Sequence, residues 1–189
     1  MEIFIQIWSA TLYLLNKVFF AFAEGKSAAV KRKLKLWGWG VYILGVPGWV
    51  IILTGHHNWI AASIEAGGLP SMFLGFFAEY FKNKKPNRAL NTVAKGCVYV
   101  FLVAGITYSV IDYGGITSVR QVLEMLAMAG FLIGSYLFAR DNRGGWLCFM
   151  LMNVCMMILL YIQGKPLLAL QQAASLSFVA YGFIKALKR

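Results

Sequence analysis

GWLCFMLMNVCMMILLY, from Gly145 to Tyr161, carries no charge and has a single amide, Asn153, at its middle. At about 100° per residue, Trp146, Phe149, Asn153, Met157 and Leu160 fall on one face of a helix. A run of this length and apolarity is able to cross a bilayer. An amide at its centre, flanked by aromatic rings, points to a small-molecule site inside a membrane bundle.

The rest of the chain fits that setting. Of 189 residues 60% are hydrophobic and 13% charged, and the apolar residues come in long blocks, which excludes an ordinary soluble domain. Seven such blocks span 3–23, 37–54, 58–81, 96–113, 117–139, 146–162 and 167–185. The fold class expected is therefore an all-α integral membrane protein with seven transmembrane helices. The segment 58–81 is the least regular, because Glu65, Gly67-Gly68 and Pro70 interrupt it. The first block has no basic segment before it and no small-residue cleavage site after it, so it reads as a span and not as a removed signal peptide.

The net charge of +11 would suit a nucleic-acid partner, but its distribution argues against one. Lys26, Lys31, Arg32, Lys33 and Lys35 fall between two apolar blocks, as do Lys82, Lys84, Lys85, Arg88 and Lys95. Basic loops alternating with neutral ones follow the positive-inside rule, with the N-terminus outside and Lys185, Lys188 and Arg189 in the cytoplasm. Cys97, Cys148 and Cys155 are odd in number, lie in apolar stretches and read as small hydrophobes. His56-His57 lacks further ligands at metal spacing and reads as an outer loop. Neither a phosphate loop, a nucleophile elbow nor an HExxH motif is present, so no enzyme and no cofactor is expected.

A shift of 107 residues superposes Gly38-Trp39 on Gly145-Trp146, Ile51 on Ile158, Leu53 on Leu160, Ala62 on Ala169 and Gly75-Phe76 on Gly182-Phe183. It also sets Tyr42 on Phe149, Val46 on Asn153 and Glu65 on Gln172. This register predicts a three-helix repeat over 1–95, a linker helix over 96–116 and a second repeat over 117–189. With one linker the repeats are parallel, and carriers built that way hold their solute at the repeat interface near the midplane.

The candidate solute-binding residues follow from this frame. Asn153 offers two donors and an acceptor to a polar solute, or serves as inter-helix glue. Trp146 and Phe149 supply flat walls beside it, and Trp39 and Tyr42 are their counterparts in the first repeat. Gln171 and Gln172 are costly against lipid, so at least one faces the interior. Glu65, Met72, Phe76 and Glu79 share a face, with Glu65 either a buried functional carboxylate or a wetted group near the outer interface. Pro47-Gly48 is a hinge or a bend in the second span.

These residues carry a resemblance. LEMLAMAGFLIGSYLFAR followed by GWLCFMLMN, with Tyr161 and Gly182, resembles the PnuC family of bacterial vitamin transporters. The matching features are Leu123-Glu124, Ala139-Arg140, Trp146, Asn153 and Tyr161, with Pro70, Gly75 and Phe76 in the first half. The resemblance implies a SWEET-like three-plus-one-plus-three fold and a homotrimer in the bacterial inner membrane. It further implies facilitated diffusion of nicotinamide riboside, with thiamine and riboflavin carried by relatives. Phe149 departs from the family's second tryptophan and Met72 from an expected glutamine. Both changes weaken polar or stacking recognition and leave other solutes, a sugar included, and a non-transporting scaffold as alternatives.

Overall fold

The structure is a computed structural model that describes residues 2–55, 59–81, 88–164 and 166–188. Among these residues the chain is all helical, without strands. The elements are α1 (Glu2–Ala23), α2 (Ala28–Gly55), α3 (Trp59–Gly67), α4 (Leu69–Tyr80), α5 (Arg88–Asp112), α6 (Val119–Ala139), α7 (Gly144–Ile162) and α8 (Pro166–Leu187). Among the described residues, four helices are long and apolar enough to cross a membrane, over Ala28–Ile51, Arg88–Asp112, Val119–Ala139 and Gly144–Ile162.

Three expectations need correction. The basic segment 24–36 is a loop only over 24–27, because α2 starts at Ala28 and carries Lys31, Arg32, Lys33 and Lys35 in its first turns. Lysine and arginine are good helix formers, and here they extend an apolar helix toward its end. Likewise α5 starts at Arg88, so Lys95 is helical, while Lys82, Lys84 and Lys85 lie outside the described residues, as do His56 and His57. Finally, 58–81 is two helices broken at Gly67-Gly68. A Cβ at Gly67 would stand 2.5 Å from the Phe101 ring and one at Gly68 2.7 Å from the Phe131 ring. Pro70 then opens α4, where its missing N–H costs nothing.

Helices α1 and α2 lie against each other along their length, as do α6 and α7. Helix α8 closes on α7 and α1, and α4 closes on α2 and α6. Helix α5 lies along α3, α4 and α6, and Tyr99, Val100, Val103, Tyr108 and Ile111 on its outer side are exposed. Leu147, Leu151 and Ile158 are exposed on α7 in the same way.

Two indole contacts recur between the halves. The Trp39 ring lies so close to α4 that a Cβ at Gly75 would stand 2.3 Å from it, and the Trp146 ring has the same 2.3 Å relation to Gly182 of α8. Only a residue without a Cβ permits this approach. Pro47 sits within α2 without ending it, and the following Gly48 receives Ser9 of α1, whose Oγ would stand 2.0 Å from an added Cβ.

Candidate functional site

Three layers stack along the helix axes, and α1 sets their order. Glu24, Phe20, Lys17 and Tyr13 follow one another at intervals of three or four residues, so about a turn separates each from the next.

The outermost layer is charged and closed. Lys35 of α2, 3% exposed, puts Nζ 2.5 Å from Asp141 Oδ1 and 3.4 Å from Glu79 Oε1. Lys31 meets Glu24 Oε2 at 2.7 Å. Arg32 donates from Nε and Nη2 to the last carbonyls of α4, Glu79 at 2.7 Å and Tyr80 at 2.8 Å, and so caps that helix. Asp141 holds a left-handed φ of 54° in the α6–α7 turn, which places its carboxylate over α2. A cavity of about 30 Å³ lies beneath, lined by Glu24, Phe138, Asp141, Arg143 and Trp146 among others.

An aromatic layer lies under the charges. Phe20 and Trp39 meet at 4.9 Å between centroids, Phe20 and Phe138 at 4.6 Å, and Phe138 and Trp146 edge-on at 4.7 Å. All four rings are buried, so this plug separates the charged end from the centre.

The central layer holds a buried cation. Lys17, 2% exposed, sets Nζ 3.7 Å from the Phe149 ring centroid and 4.8 Å from that of Tyr42. Its Nζ has no hydrogen-bond partner. Glu65 of α3 lies within electrostatic reach of it but without a direct ion pair, and the Glu65 Oε2 accepts from the Tyr13 hydroxyl at 2.6 Å. Tyr13 in turn stands edge-on to Tyr42 and Trp49. The Ser135 hydroxyl of α6 faces that of Tyr42, and neither completes a hydrogen bond. The Trp49 Nε1 and the Oδ1 atoms of Asn16 and Asn153 are also buried without partners. Buried polar groups in folded proteins are nearly always paired, so a concentration of unpaired ones is informative.

Comparison with known families, curated proteins and solved structures gives no match.

The structure brings some of the expected residues together and separates others. Tyr42 and Phe149 flank Lys17, with Glu65 nearby, and Trp39 stacks against Tyr42 at 6.3 Å. The face of Trp146, Phe149, Asn153 and Leu160 is the buried face of α7, with Met157 half-buried. Asn153 spends its Nδ2 on the Phe149 carbonyl one turn back, at 2.6 Å, and keeps Oδ1 free. Trp146 belongs to the plug and not to the centre. Gln171 donates to the Ala10 carbonyl at 3.2 Å and ties α8 to α1, with Gln172 half-buried beside it. Met72 is fully buried in the apolar core. The face expected to join Glu65 to Glu79 is broken between α3 and α4, and Glu79 pairs with Lys35 in the charged layer.

Sequence reading missed Lys17, Tyr13, Asn16 and Ser135. A signal for Lys17 was present, because it is the one charge in the apolar run from Ile3 to Ala23. A lone cation in such a run marks a functional position by default.

Proposed function

We propose that this chain is a membrane transporter for a small vitamin or nucleoside, with the Lys17 layer as its solute site. The observation that carries this reading is the set of unpaired polar groups buried at the centre of an otherwise apolar bundle. Such groups are costly unless something else supplies their partners. A solute passing through would do so transiently.

The three-plus-one-plus-three arrangement is part of the proposal. Pairing α1 with α6, α2 with α7 and α4 with α8 carries the Trp39–Gly75 contact onto Trp146–Gly182, and the α1–α8 contact onto α6–α4. That leaves α3 as the first part of the third span and α5 as the linker. The site then lies between the repeats, where alternating access by rocking one bundle against the other would expose it to each side in turn. The charged layer and its aromatic plug are the closed gate of this conformation.

Orientation follows the charges. Arg32 at the start of α2, Asn91 of α5 beside Arg140, Arg143 before α7 and Lys185 near Gly25 all gather at one end. That end faces the cytoplasm of a bacterial inner-membrane protein by the positive-inside rule. The resemblance to the PnuC family places nicotinamide riboside first among solutes and suggests a homotrimer.

Proteoliposome uptake tests the reading. Nicotinamide riboside, thiamine, riboflavin and simple sugars are offered in turn, and one of them should enter faster than into empty vesicles. Uptake of none would overturn transport and leave the scaffold, whose polar residues act as inter-helix glue of the kind Gln171 provides at Ala10.

A further inference from the structure

We infer that Lys17 is a solute-binding residue and that it selects for a compact anionic oxygen group, a carboxylate above all. The inference rests on the transport reading and narrows its solute class.

An ammonium has three donors and no acceptor, and at Lys17 none of the donors is used. The Phe149 and Tyr42 rings hold its charge through their faces but accept no ordinary hydrogen bond. Glu65 supplies a compensating charge at a distance while its Oε2 is engaged by Tyr13. Of the unpaired groups around Lys17, the Tyr42 and Ser135 hydroxyls and the Trp49 indole N–H can donate, and the amide oxygens of Asn16 and Asn153 accept. A solute entering this layer therefore meets an excess of donors around one cation.

The buried amide of Gln121 is treated differently. Gln121, also buried, donates to the Ser109 and Gly115 carbonyls at 3.1 and 2.9 Å and accepts from the Thr117 N–H at 3.1 Å. Every function of that amide is satisfied within the protein. Lys17 is buried as deeply and its Nζ is left open.

A carboxylate uses the open donors best, because charge-assisted hydrogen bonds are the strong ones. A permanently cationic ring is disfavoured twice. It would meet the ammonium at close range, and the aromatic faces that would otherwise hold it are already taken by Lys17. Within the ring-bearing vitamins, preference thus turns from amide to acid.

The matched probes are nicotinate riboside and nicotinamide riboside, which differ in a carboxylate for a carboxamide, with thiamine as a second cation. Thermal stability of the purified full chain is followed as each is titrated. The acid should stabilise at about tenfold lower concentration than the amide, the value of one charge-assisted hydrogen bond. Lys17→Met should remove that preference and Lys17→Arg should keep part of it. Equal response to acid and amide, no response to either, or an acid preference that survives Lys17→Met overturns the inference. Should Lys17→Met fail to fold, the wild-type comparison and Lys17→Arg decide alone. Proteoliposome flux separates the two readings. Acid binding without flux keeps the Lys17 site and ends transport, whereas flux without acid preference does the reverse.

Discussion

Lys35 and Lys17 are both almost completely buried, at 3% and 2% exposure, and about two helical turns along the bundle separate their layers. Lys35 reaches two carboxylates, Asp141 and Glu79, and lies in a network with Lys31, Glu24 and Arg32. Lys17 reaches two aromatic faces and no hydrogen-bond acceptor. The same residue type is satisfied at the end of the bundle and unsatisfied at its centre. The end holds its charges in a closed network, and the centre leaves its cation without a hydrogen-bond acceptor.

The sharpest way to break this contrast is one substitution made in both places. Lys35→Met leaves Glu79 and Asp141 without their shared cation and should destabilise by about 3 kcal/mol, the low end for breaking a buried pair, because Asp141 is exposed enough to regain water. Lys17→Met removes a buried charge that has no direct partner, but also its distant compensation of Glu65, and should change stability by less than about 1 kcal/mol, while solute response is lost. Thermal or denaturant unfolding in detergent reads both. Equal losses of stability would mean that Lys17 is a structural cation like Lys35.

A second pair sharpens the comparison with neutral side chains. Gln121→Ala leaves the Gly115 carbonyl and the Thr117 N–H without their partner and takes a second bond from the Ser109 carbonyl, and should cost about 2–3 kcal/mol. Asn153→Ala removes one bond, to the Phe149 carbonyl, and should cost about 1 kcal/mol. The smaller structural effect should come with the larger functional one: uptake falls in Asn153→Ala at normal expression and oligomer size, and is unchanged in Gln121→Ala. Unchanged uptake in Asn153→Ala would remove it from the site.

What the sequence made legible divides along the same line. The apolar blocks 3–23, 117–139, 146–162 and 167–185 lie within two residues of α1, α6, α7 and α8 at each end, because burial and helical period act within a single segment. The starts of α2 and α5 were hidden, since the basic residues that mark the edge of an apolar run do not mark the end of a helix. The buried face of α7 was legible from period alone. The centre of the site was not, because Lys17 acquires its meaning from Tyr42, Phe149 and Glu65 on three other helices. The partner of Gln171 was hidden for a related reason. Its neighbour across the bundle is the backbone of α1, and no feature of α8 reveals that.

The smallest expected effect tests whether the two halves are equivalent. Gly75 and Gly182 each receive an indole, from Trp39 and Trp146, at a distance that leaves no room for a methyl group. Alanine at either position gains about 1 kcal/mol of helix propensity but forces the ring away, at a cost of about 1–3 kcal/mol. The net loss should be about 1 kcal/mol for each variant. Both indoles touch Phe138, so the double variant should depart from the sum of the singles. Trp39→Phe should relieve Gly75→Ala and not Gly182→Ala, and Trp146→Phe the converse. Equal single effects with this pairwise rescue support one contact used twice. A large loss at one glycine with none at the other would show that the halves share a sequence register without sharing a packing rule, and the repeat would then carry no argument for two bundles rocking about Lys17.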